Sequence, residues 1–589
     1  MSPLQQSADV LSQRQPSEHC LTTWDGVRLF YRAWLPPLPA QRALILIHRG
    51  HEHSGRFQGV VDALALGDVA VFAWDARGHG RSPGERGYAE TFSCLVKDLD
   101  TFVRLVVKTH TIPVENVVVL GHSVGAVIVA AWAHDYAPPI RAMILACPAL
   151  RVKLYVPFAL PLLRLLQAYK RKAFIQSYVK SRMLTHDPEQ AARYRTDPLI
   201  TRAIAVNVLI GLYDTSTRLL KDAGAIHVPT LVLSAGADSV VRRAPQQQFF
   251  EGLSSPFKAM HTYSGMYHDI FHEKDRHLPI ARVREFIVQV FQRPPAQPSL
   301  LDADQKGFTR TEYERLSRPL PLLCPRRLWF ALLRVLMQSL GRFSRGIRLG
   351  WRSGFDSGES LDYVYQDTPQ GTFPLGRWID RQYLSSVGWK GIRQRKANLK
   401  AALRKTIDDL SPRSPVRLVD IASGLGRYVL ETMKEARCND MSALLRDRDS
   451  ASLEAGRRLA RQLRISNVTF EHGDAFDPQS LRSILPRPNI AIASGLYELF
   501  PDNQLVLTSL LGLNDALLDG GFLIYTNQPW HPQVEMIARV LPNREGHPWV
   551  MRRRSQAEMD ALVHTAGFRK VSMEVDEAGI FTVSVARKG

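Results

Sequence analysis

From Ala43 to about Val290, short apolar runs alternate with amphipathic stretches, and each run ends in turn residues: ALILIHRG, VAVFAWDARGHG, VENVVVLGHSVG, RAMILACP and VPTLVLSAGAD. Continuous aliphatic runs of this kind predict strands buried on both faces. Their alternation with helix-period segments predicts a mostly parallel sheet covered by helices on both sides. A second series begins at Val416 with VRLVDIASGLG, MSALLRDRD, NVTFEHGDAF, NIAIASGLYELF and GGFLIYTNQ. Two α/β domains therefore stand in tandem. RPPAQPSLLDADQKG, from Arg293 to Gly307, is rich in Pro and polar residues and reads as the linker between them. The halves share a fold class but not their motifs, so no internal repeat is read.

The length of 589 residues agrees with this division, since single hydrophobic cores stop growing at about 250–300 residues. With 45% hydrophobic and 22% charged residues, the chain is neither disordered nor a collagen nor a coiled coil. The 76 Lys and Arg against 56 Asp and Glu leave +20, which favours an anionic partner such as phospholipid headgroups, nucleic acid or an acidic substrate. Cys20, Cys94, Cys147, Cys324 and Cys438 are scattered and form no C-x-x-C pair, so a reducing compartment is expected, with no disulfide framework and no metal site. The opening MSPLQQSADVLSQRQPSEHC lacks the apolar core of a signal peptide, and no stretch reaches the ~18 consecutive apolar residues of a membrane span. A cytoplasmic protein is expected.

Gly121-His122-Ser123-Val124-Gly125 lies between the strand-like VVVL and the small, apolar AVIVAAWAH. A G-x-S-x-G between strand and helix is a nucleophile elbow, a tight turn that lifts the serine oxygen from the sheet edge. The serine needs a base and an orienting acid, which in this architecture follow it as acid and then histidine. Asp238 stands just after PTLVLSAGA, and His268 lies in SGMYHDIF after the next strand-like run. Asp269, His272 and Glu273 read as solvated helix-start residues, and His122 as a packed elbow residue.

His48-Arg49-Gly50-His51-Glu52-His53, WDARGHGRSPGERG (Trp74 to Gly87) and GHSVG together resemble the monoacylglycerol lipases and lysophospholipases of the α/β-hydrolase fold, serine aminopeptidase-like in some classifications, over roughly residues 20–290. The resemblance implies a serine esterase or lipase working through an acyl-enzyme without a cofactor. Ser123 is then the nucleophile, His268 the base, Asp238 its orienting acid, and the N–H groups of Gly50 and Val124 the oxyanion hole. The family's H-G-x-G stands here as H-R-G-H, so Arg49 and His51 bring bulk to a loop where substrate meets backbone. The insertion from about Leu150 to Ala225 holds the place of a cap. Its Lys170, Arg171 and Lys172 beside an apolar run suit a lipid ester with an anionic head, or else the run simply covers the core.

Asp420-Ile421-Ala422-Ser423-Gly424-Leu425-Gly426 follows a strand-like run and opens a helix. An acidic residue before a Gly-rich turn serves a dinucleotide or S-adenosylmethionine, and glycine spacing alone does not separate them. Asp447 closes MSALLRD, where a carboxylate holds ribose hydroxyls. Asp474 follows the third run, where a carboxylate and an adjacent N–H read adenine. Asp449 in place of Asp447, and a capping role for Asp474, are the alternatives. These motifs resemble class I S-adenosylmethionine-dependent methyltransferases over roughly residues 350–589, with D-x-A-x-G-x-G for the family's D/E-x-G-x-G-x-G. The resemblance implies S-adenosylmethionine held by Asp420, Ala422, Gly424, Gly426, Asp447 and Asp474. After the fourth run, SGLYELFPD carries neither N/D-P-P-Y/F nor Pro-Cys, so nucleic-acid bases lose ground as acceptor. SGFDSGESLDYVYQ and GRWIDRQYLSSVGWKGIRQRK are expected to cover the cofactor. The fused arrangement is similar to a bacterial family of bifunctional α/β hydrolase/class I methyltransferase proteins.

No carboxylate occurs between Glu314 and Asp356. There Arg327, Arg334, Gln338, Arg342 and Arg345 are spaced as one helical face, opposite Leu332, Leu333, Leu336 and Leu340. Such a segment suits peripheral contact with an anionic inner membrane surface, and its rival is a helix packed on the second domain with its arginines in water. The expected layout is a disordered N-terminus at 1–19, an α/β-hydrolase domain at 20–292 with a cap at about 150–225, a linker at 293–318, a basic amphipathic segment at 319–352 and a Rossmann-like class I methyltransferase domain at 353–589. The rival functions are a hydrolase fold that only binds, a nucleotide-binding regulatory module, and an RNA-directed methyltransferase.

Overall fold

The aliphatic runs of the N-terminal half become the middle of one sheet in the computed structural model, which describes residues 14–295, 299–412, 414–436, 438 and 440–589. The chain divides into two units after residue 298. In the first, β1 (Ser17–Thr22), β2 (Arg28–Trp34), β3 (Arg42–Ile47), β4 (Val69–Trp74), β5 (Val117–His122), β6 (Ala142–Ala146), β9 (Thr230–Ala235) and β10 (Lys258–Tyr263) lie in the order β1-β2-β4-β3-β5-β6-β9-β10. Pairings from β4 through β10 are parallel, and β1 and β2 are antiparallel. Every residue of β4, β5, β6 and β9 is buried, because helices cover both faces. Helix α1 (Val124–Tyr136), apolar nearly all round, runs back from β5 through this core. Between β6 and β9 the cap carries α2 (Ala159–Tyr169), the ribbon β7 (Phe174–Gln176) with β8 (Ala203–Ala205), and α3 (Val206–Asp222).

In the second unit β11 (Val416–Asp420), β12 (Met441–Asp447), β13 (Val468–His472), β14 (Ile490–Ala493), β15 (Phe522–Asn527), β16 (Phe568–Val575) and β17 (Thr582–Lys588) take the order β13-β12-β11-β14-β15-β17-β16. β17 runs antiparallel to both β15 and β16, and the remaining pairings are parallel. The order reverses beside β11, so the carboxyl ends of β11 and β14 open a crevice where a ligand can lie across the sheet.

Three expectations about the connecting segments change. β1 already begins at Ser17, inside the stretch read as disordered, because it pairs along its length with β2; residues 1–13 lie outside the described ones. The stretch read as a linker is helical at Ala303–Lys306 and Phe308–Ser317, and these turns are bound to the second unit. Arg553 bonds Glu312, and Arg552 donates to Thr309 at 3.2 Å and to Glu558 at 2.5 Å, with both arginines buried. Polar composition suggested solvent, but buried partners far along the chain claim these side chains.

The basic segment breaks in two: α4 (Pro325–Gly341) ends before α5 (Arg345–Ser353), so Arg345 does not continue the face of Arg327 and Arg334. Phe330, Leu333 and Met337 pack inward against an aromatic cluster, which removes Leu333 from the outer face. Leu328, Trp329, Leu332, Val335, Leu336 and Leu340 stay exposed, Trp329 at 61% and Leu332 at 60%. Helix α4 is therefore apolar on its inner and outer sides, with arginines between.

Candidate active sites

Ser123 sits at the end of β5 with φ 55° and ψ −110°, a conformation costly for a side chain with a Cβ and held by the packed strand and helix on either side. The turn closes tightly: a Cβ at position 125 would lie 2.5 Å from the His48 carbonyl oxygen. Ser123 Oγ is 2.8 Å from His268 Nε2, and His268 Nδ1 is 2.7 Å from Asp238 Oδ2. The other Asp238 oxygen accepts the N–H groups of Val240 (2.7 Å) and Val241 (2.9 Å), which fix the carboxylate after β9. These hydrogen bonds and His268 hold the carboxyl below its ordinary range although burial opposes them. Serine, base and acid thus come from three strand ends, all buried. Cys147 Sγ lies within 4.8 Å of the facing atoms of Asp238 and His268, and burial raises its thiol well above the usual value, so it stays protonated there.

The N–H groups of Gly50 and Val124 have no hydrogen-bond partner among the described residues, and a Cβ at position 50 would be 3.2 Å from Val124 Cγ2. Two free donors adjoin each other beside the serine. Arg49 turns its guanidinium into a buried cluster, 2.9 Å from Glu52, 3.5 Å from Asp269 and over the Tyr194 ring. His51 takes φ 76° and its carbonyl accepts the Thr201 N–H at 3.0 Å, while burial and Arg49 push its imidazole down to about 4, leaving it neutral. Asp269 and Glu273 are buried rather than solvated. Burial alone would raise Asp269, but His272 and Arg49 hold it well below the usual range. Glu273 accepts from His186 and from the Tyr267 N–H at 2.9 Å, tying the histidine loop to the cap. His122 is packed as expected, its Nε2 3.1 Å from the His268 carbonyl and its ring lowered to about 4 by burial.

A cavity of about 500 Å³ opens on Ser123, His268 and Gly50 and runs under the cap between Leu154, Leu162, Leu166 and Leu212. Its size and apolar wall suit an acyl chain. Lys170, Arg171 and Lys172 follow α2 on the exposed surface.

In the second unit a cavity of about 1060 Å³ is lined by Asp420's neighbours Ile421 and Ala422, and by Gly424, Gly426, Asp447, Asp449, Asp474 and Phe476. Gly426 has φ 69°, and a Cβ there would strike Leu445 at 2.4 Å; nothing lies within 4 Å of a Cβ at Gly424. Asp447 accepts the Gly424 N–H at 2.7 Å on one oxygen and the Asp449 N–H at 2.9 Å on the other, leaving lone pairs toward the cavity. Asp449 instead caps the next helix, accepting from Ala451 and Ser452. Asp474 accepts the Phe476 N–H at 2.9 Å. This chemistry fits a ribose at Asp447 and a base beside Phe476. The SGFDSGESLDYVYQ stretch supplies Asp356, Leu361, Asp362 and Tyr365 to the wall, and Asp362 pairs with Arg427 of α7 (α6, Val387–Leu410; α7, Arg427–Glu435), which follows the glycine turn.

Asp420 is fully buried, bonded by the Tyr428 hydroxyl and by the Ala422 N–H at 3.2 Å. Burial raises its carboxyl to about 7 against these bonds, with Asp447 adding to the rise. An unfolded aspartate titrates near ~3.9, so the folded state binds the extra proton in the window between. The stabilisation is complete below ~3.9 and is lost as pH rises to about 7. Asp420→Asn is therefore expected to flatten the fall in stability across that window, a gain of up to ~4 kcal/mol at neutral pH, read from urea unfolding at a series of pH values. Parallel profiles for the two proteins would refute the assignment.

Sequence patterns missed Arg395 and Glu498, which form a buried ion pair of 3.0 Å where β14 ends. The available signal was Glu498 inside SGLYELFPD, a stretch read only for the motifs it lacks.

Residues 39–275 match the family model for serine aminopeptidase, S33, and residues 283–588 match one described as "Putative methyltransferase". YnbC of Escherichia coli K12 is 49% identical over 581 residues, covering 98% of this chain and 99% of its own. The chain belongs to the YnbC family. The monoacylglycerol lipase of Mycolicibacterium smegmatis is 28% identical over 274 residues, 46% of this chain and 97% of that protein. The monoglyceride lipase of Rattus norvegicus is 30% identical over 259 residues, 43% and 84% respectively. A lipase- and esterase-like α/β-hydrolase domain is thus joined to a methyltransferase-family domain. The second match begins at residue 283, so it includes the helices that follow the Pro-rich stretch.

Proposed function

We propose that the N-terminal unit hydrolyses a lipid ester through an acyl-serine and that the C-terminal unit transfers a methyl group from S-adenosylmethionine. The observation that carries the first part is the Ser123–His268–Asp238 relay opening onto an apolar cavity beside two free N–H donors. His268 Nε2 takes the Ser123 proton as Oγ attacks the ester carbonyl, Asp238 keeps Nδ1–H in place, and Gly50 and Val124 receive the oxyanion. His268 returns the proton to the leaving alcohol, and water repeats the cycle on the acyl-serine. In the second unit Asp447 orients a ribose, and the glycine turn leaves room for the cofactor's tail. When bound, S-adenosylmethionine supplies a methyl group already activated by its sulfonium. Incubating the full chain with a bacterial lipid extract and methyl-labelled S-adenosylmethionine tests both parts. Free fatty acid and a labelled product are expected; folded protein that yields neither is a binding module.

The outer face of α4 supports peripheral contact with an anionic membrane: Trp329, Leu332, Leu336 and Leu340 stand exposed on a helix that also carries exposed Arg327 and Arg334 and is followed by exposed Arg342. Apolar side chains enter the headgroup boundary while arginines meet lipid phosphates. Among the described residues no helix is long and apolar enough to cross a membrane. The full chain is expected to float with anionic vesicles and to retain part of that binding in high salt. Trp329→Asp and Leu336→Asp should each weaken it roughly tenfold or more, the cost of losing one buried apolar side chain. Flotation that is absent, or unchanged by both substitutions in folded protein, removes the membrane reading. Binding to RNA that collapses with salt would assign the charge to a phosphate backbone instead.

A further inference from the structure

Next to the cofactor cavity the C-terminal unit holds a second one of about 310 Å³, walled by Ile379, Tyr383, Trp389, Met536, Ile537 and Phe581. Arg395, Gly495, Leu499 and Met551 line both, so the two cavities meet at the carboxyl end of β14. Polar side chains line this largely apolar space as well, Asp356, Gln382, Gln528 and Gln533 among them, and two of the polar groups, Glu498 and His531, supply an acceptor and a donor. Glu498 is only 6% exposed; one oxygen accepts from Arg395 at 3.0 Å, and Oε2 is buried without a partner among the described residues. A buried acceptor left unpaired costs free energy, which a ligand donor would recover. His531 is the second group. Burial lowers its ring to about 4, so it is neutral, and its Nδ1 accepts the Gln533 N–H at 3.1 Å, which places the proton on Nε2. A Cβ at position 388 would come within 2.8 Å of that nitrogen, and glycine leaves the space beside it open.

We infer that this cavity binds the methyl acceptor, and that the acceptor is a neutral, largely apolar alcohol or phenol whose hydroxyl donates to Glu498 Oε2 and accepts from His531 Nε2–H. The inference rests on the methyl-transfer reading above. Arg395 already balances the Glu498 charge, so a cationic head gains little, and an anionic head would face the free carboxylate oxygen. A hydroxyl matches one acceptor and one donor at once. As the acceptor oxygen forms its bond to the sulfonium methyl carbon, the carbon–sulfur bond breaks and its electron pair stays on sulfur. The hydroxyl proton passes to Glu498 Oε2, so the products are a methyl ether and the neutral thioether.

Calorimetry on the full chain tests this with 2-naphthol and 1-octanol as aryl and alkyl probes, each against its own methyl ether, alongside S-adenosylmethionine. At least one alcohol is expected to bind about tenfold or more tightly than its ether, the difference made by one hydrogen bond to a charged acceptor. Which alcohol binds distinguishes an aromatic from an alkyl-chain acceptor. Met536→Trp, which fills the cavity away from the cofactor wall, should abolish alcohol binding and leave S-adenosylmethionine binding unchanged. The double variant Arg395→Leu/Glu498→Leu replaces the ion pair by apolar volume, a change that folds tolerate better than loss of one partner, and should erase the alcohol's advantage over its ether. S-adenosylmethionine binding without alcohol binding, equal affinities for alcohol and ether, or wild-type alcohol affinity in Met536→Trp would each overturn the inference. Failure of S-adenosylmethionine itself to bind would overturn the methyl-transfer reading instead.

Discussion

Ser123→Ala is expected to lower kcat/KM on a short-chain aryl ester by at least ~10⁴-fold, since the acyl-enzyme route is lost and only binding and the oxyanion donors remain. Oγ is hydrogen-bonded to His268 and fills no core position, so the variant should fold. Asp238→Asn should come within about tenfold of the same loss, because an amide in place of Oδ2 can present its N–H to His268 Nδ1 and turn the imidazole to the wrong tautomer. Hydrolysis assays with a fluorophosphonate probe read both effects: wild type should be labelled at Ser123 and Ser123→Ala should not. Wild-type turnover by folded Ser123→Ala would end the serine mechanism.

The second large effect is expected at Asp447. Its carboxylate joins the glycine turn to the helix that follows β12 and keeps lone pairs for ribose hydroxyls. Two charge-assisted hydrogen bonds at ~1.5 kcal/mol each make Asp447→Ala about 100-fold weaker in S-adenosylmethionine affinity by calorimetry. Asp449→Ala separates the two candidate carboxylates. It loses a helix cap, about 1 kcal/mol of stability, and should change affinity only a few-fold. Preference for NAD over S-adenosylmethionine, or the larger affinity loss at Asp449, would reverse the reading of this site.

The elements that position these residues are legible in the sequence alone. GHSVG between an aliphatic run and a small-residue helix, Asp238 after VPTLVLSAGA and His268 after the next strand all lie at strand ends that period and turn chemistry mark. The same rules placed Asp420, Asp447 and Asp474 at the ends of β11, β12 and β13. H-R-G-H raised a question that local pattern left open. The answer came from Glu52, Asp269 and Tyr194, which draw the Arg49 guanidinium into a cluster.

What the sequence by itself determined was therefore the fold class, the two series of strands and the side chains that stand where those strands end, because each depends on neighbours a few residues away. Tertiary structure alone decided where charges go. Arg553 meets Glu312 across 241 residues and turns an apparent linker into part of the second unit, and Arg395 meets Glu498 across 103 residues beside a cavity no motif announces. It also broke the basic segment between α4 and α5 and sent Leu333 inward while Leu332 stayed out. The physical reason is that burying a charge or an apolar face is settled by what packs against it, and those partners come from distant parts of the chain.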